Sequence, residues 1–335
     1  MSTSAIPAPT PGPTFGTSRP ENILVIGASG QLGYELTQAL RERHGDAHVV
    51  AADVRVPRQL DLVQDGPFET LDVLDRDNLA RVMQQYRFTQ IYHLAAILSA
   101  VGEAKPHMAW DLNMNGLLNV LEAAREFRVG RVYWPSSIAV FGPNTPRDFT
   151  PQNTIMDPNT VYGFSKLAGE RWCDYYFRRW QVDVRSLRYP GLIGYKTLPG
   201  GGTTDYAVDI YHKAVAGEEF SCFLKPGTTL PMMYMPDAIR ATLDVMHADA
   251  ASLTVRSSYN LAGMSFAPEE IAAAIQVHRP DFRLTYAPDP TRQAIAESWP
   301  RSIDDSVARA DWGWRPEYDL PNMTRDMLAH LPVLV

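Results

Sequence analysis

The sequence feature that most constrains the fold is a glycine-rich turn, Gly27-Ala28-Ser29-Gly30-Gln31-Leu32-Gly33. The turn follows the apolar run 21–26 and precedes a helical pattern over 31–43. Glycines at such a junction let the backbone approach a pyrophosphate, and the N-terminus of the following helix stabilises its charge. The turn therefore predicts a dinucleotide site, although an ordinary strand-to-helix turn would also need glycine. The residues expected to contact the dinucleotide are Gly27, Ser29, Gly30, Gln31, Leu32 and Gly33.

Apolar runs alternate with helical patterns through the first 190 residues. We predict strands at 21–26, 48–53, 68–73, 91–96, 131–137 and 182–188. We predict helices at 31–43, 77–87, 107–127 and from Tyr162 onward. Strands that are apolar throughout and separated by helices form parallel sheets covered on both faces. The predicted fold class is α/β, a Rossmann-type doubly wound parallel sheet.

The pattern changes on either side of this alternating region. Residues 1–20 hold five prolines and a single charged side chain, Arg19, so we expect a disordered Pro-rich tail. Residues 21–190 are predicted to form an NAD-binding Rossmann domain. Residues 191–335 are predicted to be mainly a smaller C-terminal α/β substrate-binding region, with a helix at 205–216. Segments near 229–262 are expected to return to the Rossmann core.

Asp53 ends the second predicted strand, twenty residues beyond Gly33. A carboxylate there accepts hydrogen bonds from ribose hydroxyls and repels a 2′-phosphate, which favours NAD as the cofactor. Arg55 and Arg58 could neutralise such a phosphate, so NADP stays open, and a solvated loop acid is a further alternative. Other predicted cofactor contacts at strand ends are Asp72, Val73, Leu94, Ala95, Ala96 and Tyr189. Asp72 and Val73 would flank the adenine or simply end their strand.

Tyr162 and Lys166 stand four residues apart at the start of a predicted helix. On a helix the two side chains share one face, one turn apart. A nearby ammonium group favours the phenolate and can bring a tyrosine into the range of a general base. Together with the dinucleotide turn, the pair indicates hydride chemistry on an alcohol. A solvated helix face is the alternative.

The run 134–142 ends the fifth predicted strand, and its Ser137 lies twenty-five residues before Tyr162. With these motifs, the chain from residue 21 onward resembles the extended short-chain dehydrogenase/reductase family. The resemblance implies that Tyr162 takes the proton of the substrate hydroxyl and that Ser137 orients the substrate oxygen. It also implies that Lys166 contacts the nicotinamide ribose and lowers the pKa of the tyrosine. Ser136 is close enough to share the role of Ser137, and either serine could instead cap the strand end.

Family resemblance alone leaves epimerases, dehydratases and dehydrogenases open. Nucleotide-sugar epimerases of this family hold the sugar nucleotide with an Asn after the sixth strand and with a later Arg and His. Here the run 188–194 has no Asn, and the run 230–238 has neither Arg nor His. These runs, with 199–207, 259–266 and 298–306, resemble the short-chain type of L-threonine 3-dehydrogenase. That implies NAD-dependent oxidation of L-threonine at its β-carbon hydroxyl. A nucleotide-sugar epimerase or dehydratase and a non-catalytic NAD-binding scaffold are the alternatives.

The predicted substrate site suits a small zwitterion. The hydroxyls of Thr203 and Thr204 and the N–H groups of glycines 200–202 could bind a carboxylate. Asp205 could pair with the ammonium group or cap the following helix. Ser99 is a further candidate by the resemblance, or a plain loop serine. Trp299 could close the pocket or belong to the core.

Charge and composition argue against several classes of partner. The net charge of −7 and the lack of a basic run argue against nucleic acid. Cys173 and Cys222 have no nearby Cys or His cluster, so we expect no disulfide and no metal site. No apolar run approaches the ~20 residues of a membrane span. We therefore expect a cytoplasmic protein, with mitochondrial import through residues 1–20 as a minor alternative.

The same resemblance implies a homodimer. The predicted helix 107–127 and the helix after Tyr162 carry more apolar side chains than one sheet-facing stripe can bury. In the resembled family these two helices pair with their copies across a two-fold axis. A monomer whose aromatic side chains fill its own core is the alternative.

Overall fold

The computed structural model describes residues 21–197 and 200–331. The predicted tail at 1–20 and Pro199 of the predicted glycine loop lie outside these residues. The strands are β1 Ile23–Ile26, β2 Val49–Asp53, β3 Phe68–Thr70, β4 Gln90–His93, β5 Arg131–Tyr133, β6 Ser136–Ser137, β7 Val184–Arg185, β8 Leu187–Tyr189, β9 Gly191–Ile193, β10 Phe220–Cys222, β11 Leu230–Tyr234, β12 Tyr259–Asn260, β13 Met264–Phe266 and β14 Leu284–Tyr286. The helices are α1 Gln31–His44, α2 Asp61–Gln64, α3 Arg76–Tyr86, α4 Ser99–Ala104, α5 Pro106–Trp110, α6 Gly116–Glu126, α7 Val161–Trp180, α8 Tyr206–Ala216, α9 Met235–His247, α10 Pro268–Gln276, α11 Pro290–Ser298, α12 Ser306–Trp312 and α13 Leu320–His330.

The central sheet is parallel, with the strand order β3-β2-β1-β4-β5-β7. β1 pairs with β2 on one side and with β4 on the other, so that Ile23 lies beside both Val49 and Gln90. The strand order reverses between β1 and β4, which opens a crevice beyond their carboxyl ends. This is the Rossmann-type order, and the predicted fold class is confirmed.

The first β-α unit shows how the sequence builds this crevice. All four residues of β1 are buried, as expected for a strand covered on both faces. Leu36 and Leu40 of α1 share a core with Ile23 and Val25 of β1. The helix ends where Gly45 takes a φ of 89°, a conformation that costs glycine little. The unit therefore fixes the N-terminus of α1 directly after the glycine turn.

Four predicted strands have different ends in the structure. The third stops at Thr70 and the fourth at His93, so Asp72, Val73 and residues 94–96 lie in the loops beyond them. The fifth and sixth each divide between two sheets. β5 and β7 stay in the central sheet, while β6 and β8 pair with each other in a small sheet, where β8 also pairs with β12. At the first division Pro135 lacks the N–H that a continuous ladder needs. Apolar composition alone does not show where a strand changes sheets.

The predicted helix at 107–127 is interrupted. It consists of α5, a π-helical turn at Asp111–Asn115, and α6. Helical periodicity does not reveal such a turn, because one extra residue is absorbed without breaking the helix.

The C-terminal part surrounds the crevice with smaller sheets. β11 pairs in parallel with β9 and antiparallel with β13, and β12 pairs in parallel with β8. Met235 and Ala238 of α9 share the core of α1. Segments from 230 to 260 thus lie against the N-terminal elements, while the division of the chain into two domains stays a prediction.

Candidate active site

A cavity of about 260 Å³ lies beyond the carboxyl ends of β1, β4 and β6, where the strand order reverses. The predicted site residues that line it are Gly27, Gly30, Gln31, Leu32, Gly33, Leu94, Ala96, Ser99, Ser136, Ser137, Tyr162, Lys166, Tyr189, Thr203, Thr204, Asp205 and Trp299. The predicted site residues outside its lining are Ser29, Asp53, Asp72, Val73 and Ala95. The fold therefore brings the glycine turn, the Tyr-Lys pair and the Thr203 segment to one cavity.

The glycine turn fits a dinucleotide pyrophosphate. A Cβ atom on Gly33 would lie 2.1 Å from the carbonyl oxygen of Gly27, and one on Gly27 would lie 2.7 Å from the backbone nitrogen of Ala95. The first turn of α1 has neither a side-chain cap nor an acidic residue, which leaves its N–H groups for an anion. The hydroxyl of Ser29 and the side-chain amide nitrogen of Gln31 are buried without partners among the described residues. Both are suitably placed to serve a bound polar group.

Asp53 joins the end of β2 to this turn. Its Oδ2 accepts the N–H of Ser29 at 3.0 Å, and its Oδ1 accepts the N–H of Val54 at 2.8 Å. Each carboxylate oxygen keeps a lone pair for a further donor, such as a ribose hydroxyl. Arg55 and Arg58 are exposed, and within the described part of the chain neither forms an ion pair with Asp53. Neither arginine therefore offsets the carboxylate that would repel a 2′-phosphate.

Other predicted cofactor residues take part in local structure. Asp72 is exposed, and its Oδ1 accepts the backbone N–H two residues later at 2.9 Å. Val73 is buried, and its carbonyl accepts the side-chain amide of Asn119 at 2.9 Å. Tyr189 borders the cavity, but its hydroxyl is 2.7 Å from that of Tyr133 in the core. The Tyr189 hydroxyl is thus hydrogen-bonded within the core.

Helix α7 presents Tyr162 and Lys166 to the cavity. The helix begins after Thr160, whose hydroxyl accepts the N–H of Gly163 at 3.0 Å and so caps it. A Cβ on Gly163 would lie 2.3 Å from the carbonyl oxygen of Ala139. Glycine thus lets the first turn of the helix pack directly against the segment that follows Ser137.

Lys166 is held on the sheet side of this helix. Its Nζ donates to the carbonyl oxygen of Pro135 at 2.6 Å and lies 4.4 Å from the centre of the Trp134 ring. The same Nζ lies 5.5 Å from the centre of the Tyr162 ring. Ser137 borders the cavity, and its hydroxyl accepts the N–H of Ala139 at 3.2 Å. Ser137 thus caps a local turn as well as facing the site.

Burial dominates the electrostatics of the Tyr-Lys pair. It raises the pKa of Tyr162 to about 12, with the Ser137 side chain opposing the rise. It lowers the pKa of Lys166 to about 7, with Cys173 and Glu170 opposing the fall. Both neutral forms are favoured because a dry site solvates neither charge. Activation of Tyr162 therefore needs more than the nearness of Lys166.

Ser136 faces a different partner from Ser137. Its hydroxyl donates to Oε1 of Glu170 at 2.7 Å. Glu170 lies one turn beyond Lys166 on α7 and forms a bidentate, fully buried ion pair with Arg188, both bonds being 2.8 Å long. Ser136 and Ser137, which were predicted to share the orienting of the substrate oxygen, therefore have different hydrogen-bond partners. The Glu170–Arg188 pair was not predicted from the sequence. The available signal was a charged residue within or beside a largely apolar segment at each position.

The glycine loop binds its own aspartate. Oδ2 of Asp205 accepts the N–H groups of Gly201 and Gly202 at 2.7 and 2.6 Å. The Asp205 side chain does not cap α8, and burial raises the pKa of its carboxyl. Thr203 is buried in the cavity wall, and its hydroxyl has no partner among the described residues. Two of the three loop amides expected to receive a substrate carboxylate are thus occupied by a residue of the chain.

Two further predicted substrate residues are buried in the wall, and Thr204 beside them is partly buried. Ser99 opens α4 and lines the cavity. Trp299 lines the cavity and also belongs to a hydrophobic core, so its two predicted roles coincide.

Sequence reasoning also missed two residues close to the site. Asn113, in the π-helical turn, accepts the N–H of Ile97 at 2.8 Å and donates to the Ser165 hydroxyl at 3.1 Å. It therefore ties the loop after β4 to α7. His93 ends β4 in the core near Lys166, and burial lowers its pKa to about 3. A histidine at the end of an apolar strand was the available signal.

Within the described residues, no group of three or more His, Cys, Asp or Glu side chains could hold a metal ion. None of the helices in this part of the chain combines the length and the apolar character that a membrane span requires.

Comparison with known proteins gives both a family and solved relatives. The profile of the NAD dependent epimerase/dehydratase family matches residues 23–262. An uncharacterised epimerase/dehydratase of Staphylococcus aureus (strain MRSA252) is 51% identical over 308 residues, which cover 92% of this chain and 96% of the relative.

Two solved structures are similar over 92% of this chain. The holo form of a GalE-like L-threonine dehydrogenase from Cupriavidus necator is 58% identical, is covered over 99% of its length and has a TM-score of 0.89. A monomeric L-threonine 3-dehydrogenase from a metagenome, in its apo form, is 48% identical, is covered over 97% and has a TM-score of 0.88.

Proposed function

The chain belongs to the NAD-dependent epimerase/dehydratase family and is an NAD-dependent oxidoreductase, and we propose that its substrate is L-threonine. The reaction is oxidation of the β-carbon hydroxyl by NAD⁺, which gives 2-amino-3-oxobutanoate, NADH and a proton. The observation that carries the proposal is one cavity that joins a Tyr-Lys pair to a hydroxyl-bearing wall at Thr203. The 58% identity to a threonine dehydrogenase supports it.

Tyr162 is the proposed general base. Its phenolic oxygen takes the proton of the substrate hydroxyl while the carbon–hydrogen bond breaks. Since burial raises the pKa of Tyr162 to about 12, the phenolate must be stabilised during the reaction. When protonated, Lys166 supplies a positive charge 5.5 Å from the centre of the Tyr162 ring, and Ser137 holds the substrate oxygen towards the tyrosine. The proposal assigns Ser136 to supporting this geometry through Glu170.

The chain would hold NAD with the turn at Gly27 to Gly33 and with Asp53. The N-terminus of α1 would receive the pyrophosphate, and the carboxylate of Asp53 a ribose hydroxyl. When bound, NAD⁺ supplies the hydride acceptor. Residues 94–96 border the same turn, because Gly27 packs against the backbone of Ala95.

The carboxylate of threonine is the group proposed to face Thr203. That hydroxyl is buried and unpaired among the described residues, so a bound acceptor would remove the cost of leaving it unsatisfied. The ammonium group is assigned to Asp205, whose Oδ2 already accepts two loop amides, while Oδ1 accepts no hydrogen bond from the described part of the chain. Ser99 and Trp299 complete the wall.

The competing function is that of a nucleotide-sugar epimerase or dehydratase. It is favoured by the name of the Staphylococcus aureus relative, at 51% identity. Against it stand the runs 188–194 and 230–238, which lack the Asn, Arg and His that hold the sugar nucleotide in the resembled epimerases.

The deciding experiment measures NADH absorbance with L-threonine and L-serine as substrates. With UDP-sugars it measures the epimerised or dehydrated product by chromatography, because such a reaction returns the hydride and leaves no net NADH. We expect turnover with L-threonine, and Tyr162→Phe should lower it by the ~10²–10⁴-fold typical of a lost general base, with NAD binding retained. Tyr175→Phe is the matched control, because Tyr175 is an exposed tyrosine on the same helix. Turnover of a UDP-sugar without threonine oxidation would replace the proposal by its rival. A Tyr162→Phe enzyme within threefold of the wild type would refute the assigned base.

We further propose a homodimer in which α5, α6 and α7 face their copies. Among the described residues, Met108, Trp172, Tyr175 and Trp180 remain exposed on these helices. Other apolar residues of these helices, such as Tyr176, Leu117 and Leu121, are buried within the chain. The patch is therefore smaller than the sequence suggested. The metagenomic relative described as monomeric weighs against the proposal, which sedimentation decides.

A further inference from the structure

Residues 299–304 form a segment that we name the Trp299 strap. Helix α11 ends at Ser298 because Pro300 disfavours helical backbone at Trp299, which has φ −95° and ψ 161°. Trp299 is 5% exposed and lines the cavity. Its carbonyl oxygen follows the last helical turn, where no further helical N–H can reach it.

Arg147 satisfies that carbonyl oxygen. Its Nε donates to the oxygen of Trp299 at 3.1 Å. Its own carbonyl oxygen accepts the N–H groups of Arg301 and Ser302 at 2.7 and 3.2 Å. One residue therefore fixes the strap on both sides of Pro300, by its side chain before the proline and by its backbone after it.

A second anchor holds the far end of the strap. The N–H of Thr150 donates to the carbonyl of Ser302, and the N–H of Asp304 donates to the carbonyl of Thr150, both at 3.0 Å. The side-chain amide of Asn260 donates to the carbonyl oxygens of Thr150 and Asp304 at 3.0 and 3.1 Å. The strap is thus bound along its length to the loop at 146–150.

This loop is continuous with the catalytic elements. It lies between Ser137 and Tyr162, so both of its ends lead into the cavity wall. Oδ1 of Asn260 also accepts Nη1 of Arg188 at 2.9 Å, and Arg188 pairs with Glu170 on α7. The Trp299 wall and the Tyr162 helix are therefore connected by one set of hydrogen bonds. Arg147 itself does not line the cavity.

We propose that Arg147 is a positioning residue that holds Trp299 against the substrate end of the cavity and so raises substrate affinity without contacting substrate. The identity of that substrate rests on the proposed function, whereas the hold on the strap does not. Removing the donor leaves a largely buried carbonyl unpaired and frees the strap to move. A lost hydrogen bond of this kind changes an equilibrium by ~5- to 30-fold.

The test compares Arg147→Met with Arg301→Met. The first variant removes the donor to Trp299 and keeps most of the apolar stem. The second removes an arginine of the strap whose side chain forms an exposed ion pair with Asp148 and does not bond Trp299. We expect Arg147→Met to raise KM for L-threonine by ~5- to 30-fold. Its kcat and its Kd for NAD should stay within about twofold of the wild type, and Arg301→Met should leave all three unchanged.

Hydrogen exchange of the peptide 296–304 gives a readout that needs no substrate. Arg147→Met should speed exchange there by at least fivefold, and Arg301→Met should not. If the wild type fails to oxidise threonine but exchange rises as stated, the proposed substrate is wrong and the hold on the strap stands. Unchanged exchange in Arg147→Met overturns the inference, whatever the substrate. So does an equal loss of NAD affinity, which would indicate general disruption.

Discussion

Lys166 is the residue whose removal best tests the electrostatics of the site. It is 3% exposed, and burial lowers its pKa from 10.5 to about 7. Methionine matches the length of its stem without the charge. We expect Lys166→Met to abolish oxidation and yet to stabilise the folded chain near neutral pH, because the fold no longer has to hold an ammonium group in a dry site.

The size of the effect follows from the pKa and the two contacts of Nζ. The gap between 10.5 and about 7 corresponds to roughly 5 kcal/mol at 1.36 kcal/mol for each pH unit. The methionine variant also loses the hydrogen bond to Pro135 and the contact with Trp134. These losses offset ~2–4 kcal/mol of that gain in folding stability. The net stabilisation is therefore ~1–3 kcal/mol below pH 7.

The sign of the pH dependence is fixed by the direction of the pKa shift. Since the folded pKa lies below the unfolded one, the unfolded chain binds more protons between pH 7 and 10.5. The stability of the wild type therefore rises with pH in this window. The methionine variant lacks that dependence, so its advantage shrinks as the pH rises from 7 and reverses towards 10.5.

Urea unfolding without NAD at pH 7, 8 and 9 measures this difference. Lys225→Met is the control, because Lys225 is 57% exposed beside Glu297, and it should stay within ~0.5 kcal/mol of the wild type at each pH. A difference between Lys166→Met and the wild type that is constant from pH 7 to 9 would refute the reasoning. So would a variant that oxidises threonine at the wild-type rate.

Two further predictions concern the cofactor and the assembly. Asp53→Ser should raise the use of NADP relative to NAD, because the carboxylate that repels a 2′-phosphate is gone; steady-state rates with both cofactors check this, and a wild type that prefers NADP contradicts it. Tyr175→Glu should turn a micromolar dimer into a less active monomer in sedimentation, because it places a charge in the exposed aromatic patch, whereas Val277→Glu, at an exposed position directly after α10, should leave the dimer intact. A fully active wild-type monomer would end the dimer proposal.

The first β-α-β unit was the part of the fold most open to prediction from sequence. Its strand, turn and helix have local signatures: an apolar run, glycines at fixed spacing, and a period of 3.6 residues. The predicted helix 31–43 accordingly agrees with α1 to within one residue. The ends of later strands were wrong, because apolar residues such as Leu94 continue beyond His93, the last residue of β4 that pairs with β1.

The residues of the candidate site show the same difference between features that depend on one segment and features that depend on several. The sequence determined that Tyr162 and Lys166 share a helix face and that glycines stand where a dinucleotide needs space, because both features depend on spacing along one segment. Only the tertiary structure decided that Ser136 bonds to Glu170 and that Arg147 bonds to Trp299, 152 residues away. It also decided the pKa directions of the Tyr-Lys pair, since burial depends on everything packed around them. Spacing within a segment can be read directly from the sequence, whereas hydrogen-bond partners and local solvation depend on which distant segments pack together.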